Sequence, residues 1–403
     1  MRVTNRSILL ALAGVAAADS PIIGPVCPWN SSPRLRLPVC ASPDFVRASI
    51  APELLFGTKD GVRNLTWNQA GWQGPHRCIN GTCLFSNDNI GGGIALITSE
   101  HHAKIVASFP QGPAEEAAPP PFHVAKVAGK GMGLVANRTI RKGEIIMQRT
   151  PTLLAQTAPI VDLDPTLRDL LYVLAVEALP DARQAAFMAQ VGSDIHDKVN
   201  TNCFLVFVDG SSHLGCYPEV ARMNHDCRPN AHYRISNMTH TTVAVRTIAP
   251  GEELSISYVD LLLTHAERRA LLHKWGFECA CAQCSQSAAD TAASDARLRQ
   301  IAKLKAELGD FSTTKVTAET GGEMVGLYED EGLHTYLGNA YTRAALNFAL
   351  FGEEERAREY AGMAVEALEL EMGPGTGDAR AMRILAEDPR KHWTWGKRRK
   401  HGK

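Results

Sequence analysis

The sequence predicts an α+β protein, with a β-rich middle followed by a helical C-terminal third. Three observations carry that reading. Between Phe122 and Tyr258, short apolar and β-branched runs alternate with glycine and proline turns. Beyond Cys284 the chain becomes rich in Ala, Leu, Glu and Arg, with apolar residues at helical spacing. The ten cysteines lie at 27, 40, 78, 83, 203, 216, 227, 279, 281 and 284, with none after. Clusters of that kind point to two cysteine chemistries rather than one disulfide framework.

The bulk numbers set outer bounds. A length of 403 residues fits two or three domains. At 45% hydrophobic and 21% charged, the composition excludes a wholly disordered, collagen-like or coiled-coil chain. A formal charge of −1 argues against a generally basic nucleic-acid binder. It is an uneven balance, because Arg390–Lys403 carries seven Lys/Arg and no acid, against a body of −8.

Read in order, Arg2 and Arg6 precede the apolar run Ile8–Ala18, with small residues at Ala16 and Ala18. This pattern predicts a signal peptide over 1–18 and a secretory or extracellular protein, with cytoplasm or nucleus as the alternative. No later run reaches the ~18 apolar residues of a spanning helix. Residues 19–113 form a Cys-containing unit with Cys27, Cys40, Cys78 and Cys83, for which three disulfide connectivities are open. Asn30, Asn64, Asn80, Asn137 and Asn237 each open an Asn-x-Ser/Thr triplet, the acceptor for N-linked sugar. The run 114–121, ending in Pro119-Pro120-Pro121, reads as a linker.

From Phe122 the strands begin. Phe122–Val127, Leu134–Ala136 and a segment ending at Met147 read as extended, with Gly129-Lys130-Gly131-Met132-Gly133 as a glycine-rich turn. Residues 164–190 are predicted helical, and 203–208, 241–246 and 253–258 extended. Cys203 and Cys216 read either as a disulfide or as buried thiols, and Tyr217 and Tyr233 as core residues. Helices are expected over 293–309 and over 333–371, the latter broken at Gly352. That pair resembles one tetratricopeptide unit, or is simply a helical pair packed on the preceding domain. The basic end at 390–403 reads as a solvated tail, with a nuclear signal or a nucleic-acid contact as the alternatives.

Three segments carry chemistry together: the Gly129–Gly133 turn, Arg222-Met223-Asn224-His225-Asp226-Cys227-Arg228-Pro229-Asn230, and Gly251–Tyr258 followed by Gly276-Phe277-Glu278-Cys279-Ala280-Cys281-Ala282-Gln283-Cys284. The last run supplies three thiolates at tight spacing. Zinc prefers four tetrahedral ligands, which makes Cys227 the natural fourth, with a disulfide plus free thiols as the competing reading.

This combination resembles the SET-domain protein lysine methyltransferases, over about residues 122–285. It is similar to the SMYD branch as found in fungi, but lacks the MYND zinc finger. The resemblance implies a pseudo-knotted SET domain at 122–260, a post-SET zinc segment at 261–290 and a helical, TPR-like region at 291–389. It implies S-adenosyl-L-methionine as methyl donor, Zn2+ as structural metal and a lysine side chain of a protein as acceptor. Lys130, Gly131, Met132, Gly133, Asn224, His225, Tyr258 and Phe277 then fall at donor-binding positions, Tyr258 also at the catalytic one, and Cys227, Cys279, Cys281 and Cys284 at the metal. A secreted, non-catalytic protein reusing the same scaffold is the alternative.

Overall fold

The computed structural model describes residues 71–110, 119–310 and 312–398. The signal-peptide reading, Cys27, Cys40, Asn30 and Asn64 lie outside them. In chain order the elements begin with β1 (Gln73–Ile79), β2 (Thr82–Asn87), β3 (Ile94–Thr98), α1 (Glu100–Ser108), β4 (Phe122–Val127), β5 (Gly131–Ala136), β6 (Ile145–Arg149) and β7 (Leu153–Gln156). Then come α2 (Thr157–Val161), α3 (Pro165–Glu177), α4 (Asp181–Met188), α5 (Ile195–Asn202), β8 (Cys203–Val208), β9 (Ser211–Cys216), β10 (Asn224–His225), β11 (Ala231–Ser236), β12 (Thr239–Ala244) and β13 (Glu253–Ile256). The rest is helical: α6 (His265–Lys274), α7 (Ala288–Gly309), α8 (Thr320–Asp330), α9 (Leu337–Phe351), α10 (Glu354–Met372) and α11 (Gly377–Glu387). The chain is α+β, as its patterning predicts.

Contacts divide the chain into two compact units: 71–110, 148–222 and 235–240 form the first, and 119–147, 223–234 and 241–398 the second. The first is built on a six-stranded sheet in the order β1-β2-β3-β7-β9-β8. Only the β3–β7 pair is parallel. Its core gathers Leu84, Ile97, Leu153, Leu171 and Phe187, all buried. Helix α3 starts where Asp164 accepts the Thr166 N–H at 2.9 Å and Pro165 takes the first turn.

Both disulfides of the described residues lie in this sheet, each between residues directly paired across two strands: Cys78–Cys83 on β1–β2 and Cys203–Cys216 on β8–β9. The pair left open by the sequence, Cys203 and Cys216, is therefore a disulfide. Tyr217 is fully buried and donates its hydroxyl to the Met238 carbonyl at 2.7 Å, a core role as expected. Reducing Cys203–Cys216 is expected to cost about 3 kcal/mol, the chain-entropy value for a loop of this size. Denaturation midpoints of the oxidised and reduced protein measure it, and equal midpoints would exclude a stabilising role.

In the second unit the four-stranded sheet runs β10-β13-β5-β4. The short β10 pairs parallel with β13, Asn224 opposite Ser255 and His225 opposite Ile256. Strand β13 pairs antiparallel with β5, and β5 with β4. Asn224-His225 and Glu253–Ile256 thus become neighbouring strands, and the glycine-rich turn joins β4 to β5. A third sheet runs β11-β12-β6.

Helices α7 to α11 enclose a separate core around Ile301, Met324, Tyr328, Ala344 and Phe348. The predicted break falls at Gly352, which ends α9 in the left-handed region at φ 78°. The following Glu353 N–H returns to the Phe348 carbonyl at 2.9 Å, the helix-ending geometry for which glycine is suited. Residues 390–398, read from sequence as a solvated tail, instead fold back on this core. The Gly396 and Arg398 N–H groups donate to the Ala349 and Leu350 carbonyls at 2.9 Å each. Arg398 is itself buried, and its Nη2 donates to the Asp310 carbonyl at 2.8 Å. Backbone pairing to the end of α9 consumes the groups a free tail would leave to water.

Between the Cys227 segment and the helices stands one buried acid. The Glu331 side chain is 1% exposed and takes a salt bridge from Arg228, another from Arg297 at 2.6 Å, and a hydrogen bond from Ser294 at 2.8 Å. Glu331→Ala leaves two guanidinium groups without their acid and is expected to cost about 3–5 kcal/mol. Urea denaturation checks this, and a loss below ~1 kcal/mol would mean that water replaces the carboxylate.

Candidate active site

The site grows from the pairing of β10 with β13. Asn230, 1% exposed, locks that pairing. Its Nδ2 donates to the Glu253 carbonyl at 2.7 Å and to Glu252 Oε1 at 3.0 Å, and its Oδ1 accepts the Ser255 N–H at 2.9 Å. A buried amide with its donors and acceptor engaged holds two chain segments in fixed register.

His225, 3% exposed, joins the next two parts. Its Nδ1 accepts the Tyr258 backbone N–H at 3.0 Å, which places the ring proton on Nε2. Nε2 stands 3.3 Å from Cys227 Sγ and donates to it. One imidazole therefore links a candidate metal ligand to the backbone of Tyr258. The Tyr258 hydroxyl donates to the Met223 carbonyl at 2.7 Å. Burial, then the charge of Glu253, pushes this phenol up to about 12, so it stays protonated at neutral pH.

An aromatic wall surrounds it. The ring centroids of Trp275 and Phe277 lie 5.1 Å and 6.3 Å from that of Tyr258, Phe277 edge-on. Helix α6 ends at Trp275, and Gly276 at φ 83° turns the chain so that Phe277 and the following cysteines come back to the site. Trp275 remains 37% exposed, so the wall has an outward face.

On the other side, Lys130 Nζ donates to Glu253 Oε2 at 2.8 Å and to the His225 carbonyl at 3.3 Å. Asn224 Nδ2 donates to Glu253 Oε1 at 2.8 Å and to the Met132 carbonyl at 3.3 Å. Glu253 thus holds two of the expected donor-binding residues. Gly133 is required by close packing: a Cβ there would stand 2.8 Å from both Asn224 Nδ2 and Val127 Cγ2. Gly131 differs, since at φ 82° a Cβ would meet nothing within 4 Å and would jut into open space in front of the loop. The open space over Gly131 leaves room for a ligand against the backbone of the turn.

Cys227, Cys279, Cys281 and Cys284 place their sulfurs within 4.8 Å of one another, Cys227 and Cys284 at 3.5 Å. Tetrahedral zinc with Zn–S of ~2.3 Å separates its sulfurs by roughly 3.8 Å, so the cluster has the right size. None of the four is in a disulfide. Hydrogen bonds from its neighbours favour the Cys281 thiolate, whereas the Cys279, Cys281 and Cys284 contacts and then burial push Cys227 up. A divalent ion removes that asymmetry by stabilising every thiolate. Tyr258 and Phe277 pack on the same cluster.

The residues expected at the donor, catalytic and metal positions all lie in the second unit. Glu253, Trp275 and the Met223 carbonyl were not foreseen as site groups. Glu253 and Met223 stand inside motif segments, but the carboxylate's two partners are distant in sequence, and a backbone carbonyl leaves no sequence signal.

Residues 131–259 match the SET domain family model. The human N-lysine methyltransferase SMYD2 is 38% identical over 98 residues, 24% of this chain and 23% of that protein. The mouse histone-lysine N-methyltransferase SMYD3 is 44% identical over 73 residues, 18% of this chain and 17% of that protein. SMYD2-B of Danio rerio is 32% identical over 108 residues, 26% and 25% of the two chains. The chain thus carries a SET domain with SMYD-family methyltransferase homologues, and it spans about a quarter of the length of the curated relatives it matches.

Proposed function

We propose that the chain is a protein-lysine N-methyltransferase that uses S-adenosyl-L-methionine and is held in shape by Zn2+. The observation that carries this reading is the convergence of the glycine turn, Asn224-His225 and Tyr258 on adjacent strands, with His225 bridging Tyr258 and Cys227. The SET match supports it.

S-adenosylmethionine, when bound, supplies an electrophilic methyl group on a sulfonium. Gly131, the Lys130 ammonium and Asn224 would hold its amino-acid end, and His225, Tyr258 and Phe277 would border the reacting part. Burial beside the positive charge of the donor's sulfonium would disfavour a charged ammonium and so favour the neutral amine of an incoming lysine. Tyr258, protonated and tied to Met223, does not act as base. Its remaining lone pair is an acceptor that orients the amine, and such alignment supplies much of the rate in a two-reactant transfer. Lysine deprotonation is left to bulk solvent. Cys227, Cys279, Cys281 and Cys284 would hold zinc, fixing the segment that carries Phe277.

Calorimetry with S-adenosylhomocysteine on the zinc-loaded full chain tests the donor site. Binding is expected, with Asn224→Ala weakening it about tenfold, the value of one lost hydrogen bond near a charged group. Absence of binding would overturn the reading. The acceptor is sought by transfer of labelled methyl to protein mixtures followed by mapping of the modified lysine.

A further inference from the structure

One motif of the sequence stays unused by the methyltransferase reading: the glycan acceptor triplets. In the first unit Asn80 and Gly81 form the two-residue tip between β1 and β2, with Ile79 opposite Thr82 and Cys78 opposite Cys83. Asn80 adopts φ 48° and Gly81 φ 80°, the tight hairpin turn for which Asn-Gly is favoured. The Cys78–Cys83 disulfide clamps this tip from below, and Asn80 is exposed. The described cysteines divide without remainder into two register-paired disulfides and the four-thiol cluster. Persistent disulfides of this kind belong to an oxidising compartment, where glycan transfer also takes place.

Beside the tip lies a cleft of ≈ 400 Å³, bordered by Asn80, Gln156, Pro159, Asp162 and Leu163. Gln156 is 8% exposed. Its Oε1 accepts from the Thr98 hydroxyl at 2.9 Å and the Ser99 N–H at 3.2 Å. Among the described residues its Nε2 protons have no acceptor, which leaves them for an occupant of the cleft. The carboxylate of Asp162 offers acceptors to hydroxyls, and Pro159 with Leu163 offers an apolar surface. A pyranose with an acetamido group presents those complementary features, an apolar ring face edged by hydroxyls and an amide.

The other described acceptors lack this setting. Asn137 has its Oδ1 2.5 Å from the His123 ring nitrogen Nδ1 and its Nδ2 donating to the Pro120 carbonyl at 3.5 Å. Asn237 sits at an exposed turn with φ 45° and does not border this cleft.

We propose that Asn80 carries an N-linked glycan whose first N-acetylhexosamine packs in this cleft. The donor is a lipid-diphosphate-linked oligosaccharide. Asn80 Nδ2 forms a bond to the anomeric carbon and loses one proton to solvent, while the anomeric C–O bond breaks and the lipid diphosphate leaves with the electron pair.

The test uses full-length protein recovered from its own cells, in two portions. One is treated with peptide N-glycosidase in heavy-oxygen water, which turns a glycan-bearing Asn80 into an aspartate labelled with heavy oxygen. The other is trimmed by an endoglycosidase to a single sugar. Heavy-oxygen label at position 80 of the mapped peptide is expected, as is a melting temperature about 2–4 °C higher for the single-sugar form than for the sugar-free form. Recovery of unchanged, unlabelled Asn80 overturns the proposal. Label at this position with identical melting of the two forms overturns the packing in the cleft. Both portions start from one folded protein, so a misfolded variant cannot obscure the result.

Discussion

Cys281→Ser is expected to remove one zinc ion per chain and, with it, donor binding. Cys281 is 4% exposed and faces three other sulfurs, so no surface group can replace its thiolate. A structural zinc site contributes on the order of 10 kcal/mol of apparent folding free energy, comparable to the whole stability of a typical domain. The consequence is expected to reach Tyr258 through His225. Its Nε2–H points at Cys227, and its Nδ1 holds the Tyr258 N–H. Loss of the metal therefore releases the partner that fixes the ring, and Tyr258 loses its backbone anchor. Elemental analysis of purified protein measures the metal, and calorimetry with S-adenosylhomocysteine measures the donor site. A metal-free variant that binds this ligand as tightly as the parent would separate the two sites and refute the coupling.

A subtler substitution isolates that link. His225→Gln retains an acceptor and a donor but changes their reach. It is expected to keep zinc bound while weakening donor binding, because the four thiolates remain and only the outer contact is altered. Zinc loss in parallel with donor affinity would mean that the imidazole acts mainly on the metal cluster.

How much of this was legible in the sequence varies by segment, for physical reasons. The strand order could not be read from any one run, yet the motifs themselves were visible, since Asn224-His225, Gly251–Tyr258 and the cysteine triplet each use residue types that chemistry constrains. Gly352 announced its own helix end because only a left-handed residue fits there. Helix α8 lies inside the helical region expected over 291–389 but was not placed as an element, since Gly321, Gly322 and Gly326 lower its intrinsic propensity, and tertiary packing of Met324, Val325 and Tyr328 overrides this. The end of the chain misled for the opposite reason. Its lysines and arginines read as solvated charge, but Arg398 is buried and the backbone around it pairs with the carbonyls of α9. Glu253 looked like one of two interchangeable acids. Only the fold separates Glu252, which faces Asn230 and Arg246, from Glu253, which faces Lys130 and Asn224.

Tyr258→Phe is expected to lower methyl transfer by about 10–100-fold with little change in donor affinity. The hydroxyl donates to the Met223 carbonyl at 2.7 Å. Removing it leaves that carbonyl without its donor and the amine without its acceptor, a loss of ~1–3 kcal/mol, where ~1.4 kcal/mol is tenfold in rate. The pH dependence separates this role from that of a base. Burial raises the phenol from its ordinary value near 10 to about 12, so folding favours the neutral form. Its contribution to stability is fully present below about pH 10 and is lost as pH rises from about 10 to about 12. Between pH 7 and 10, then, the parent's rate should climb with deprotonation of the substrate lysine and show no fall from Tyr258. The Phe variant should trace the same rising limb at lower height. If the variant instead lost the rising limb, Tyr258 would be the group that titrates and the positioning role would be wrong.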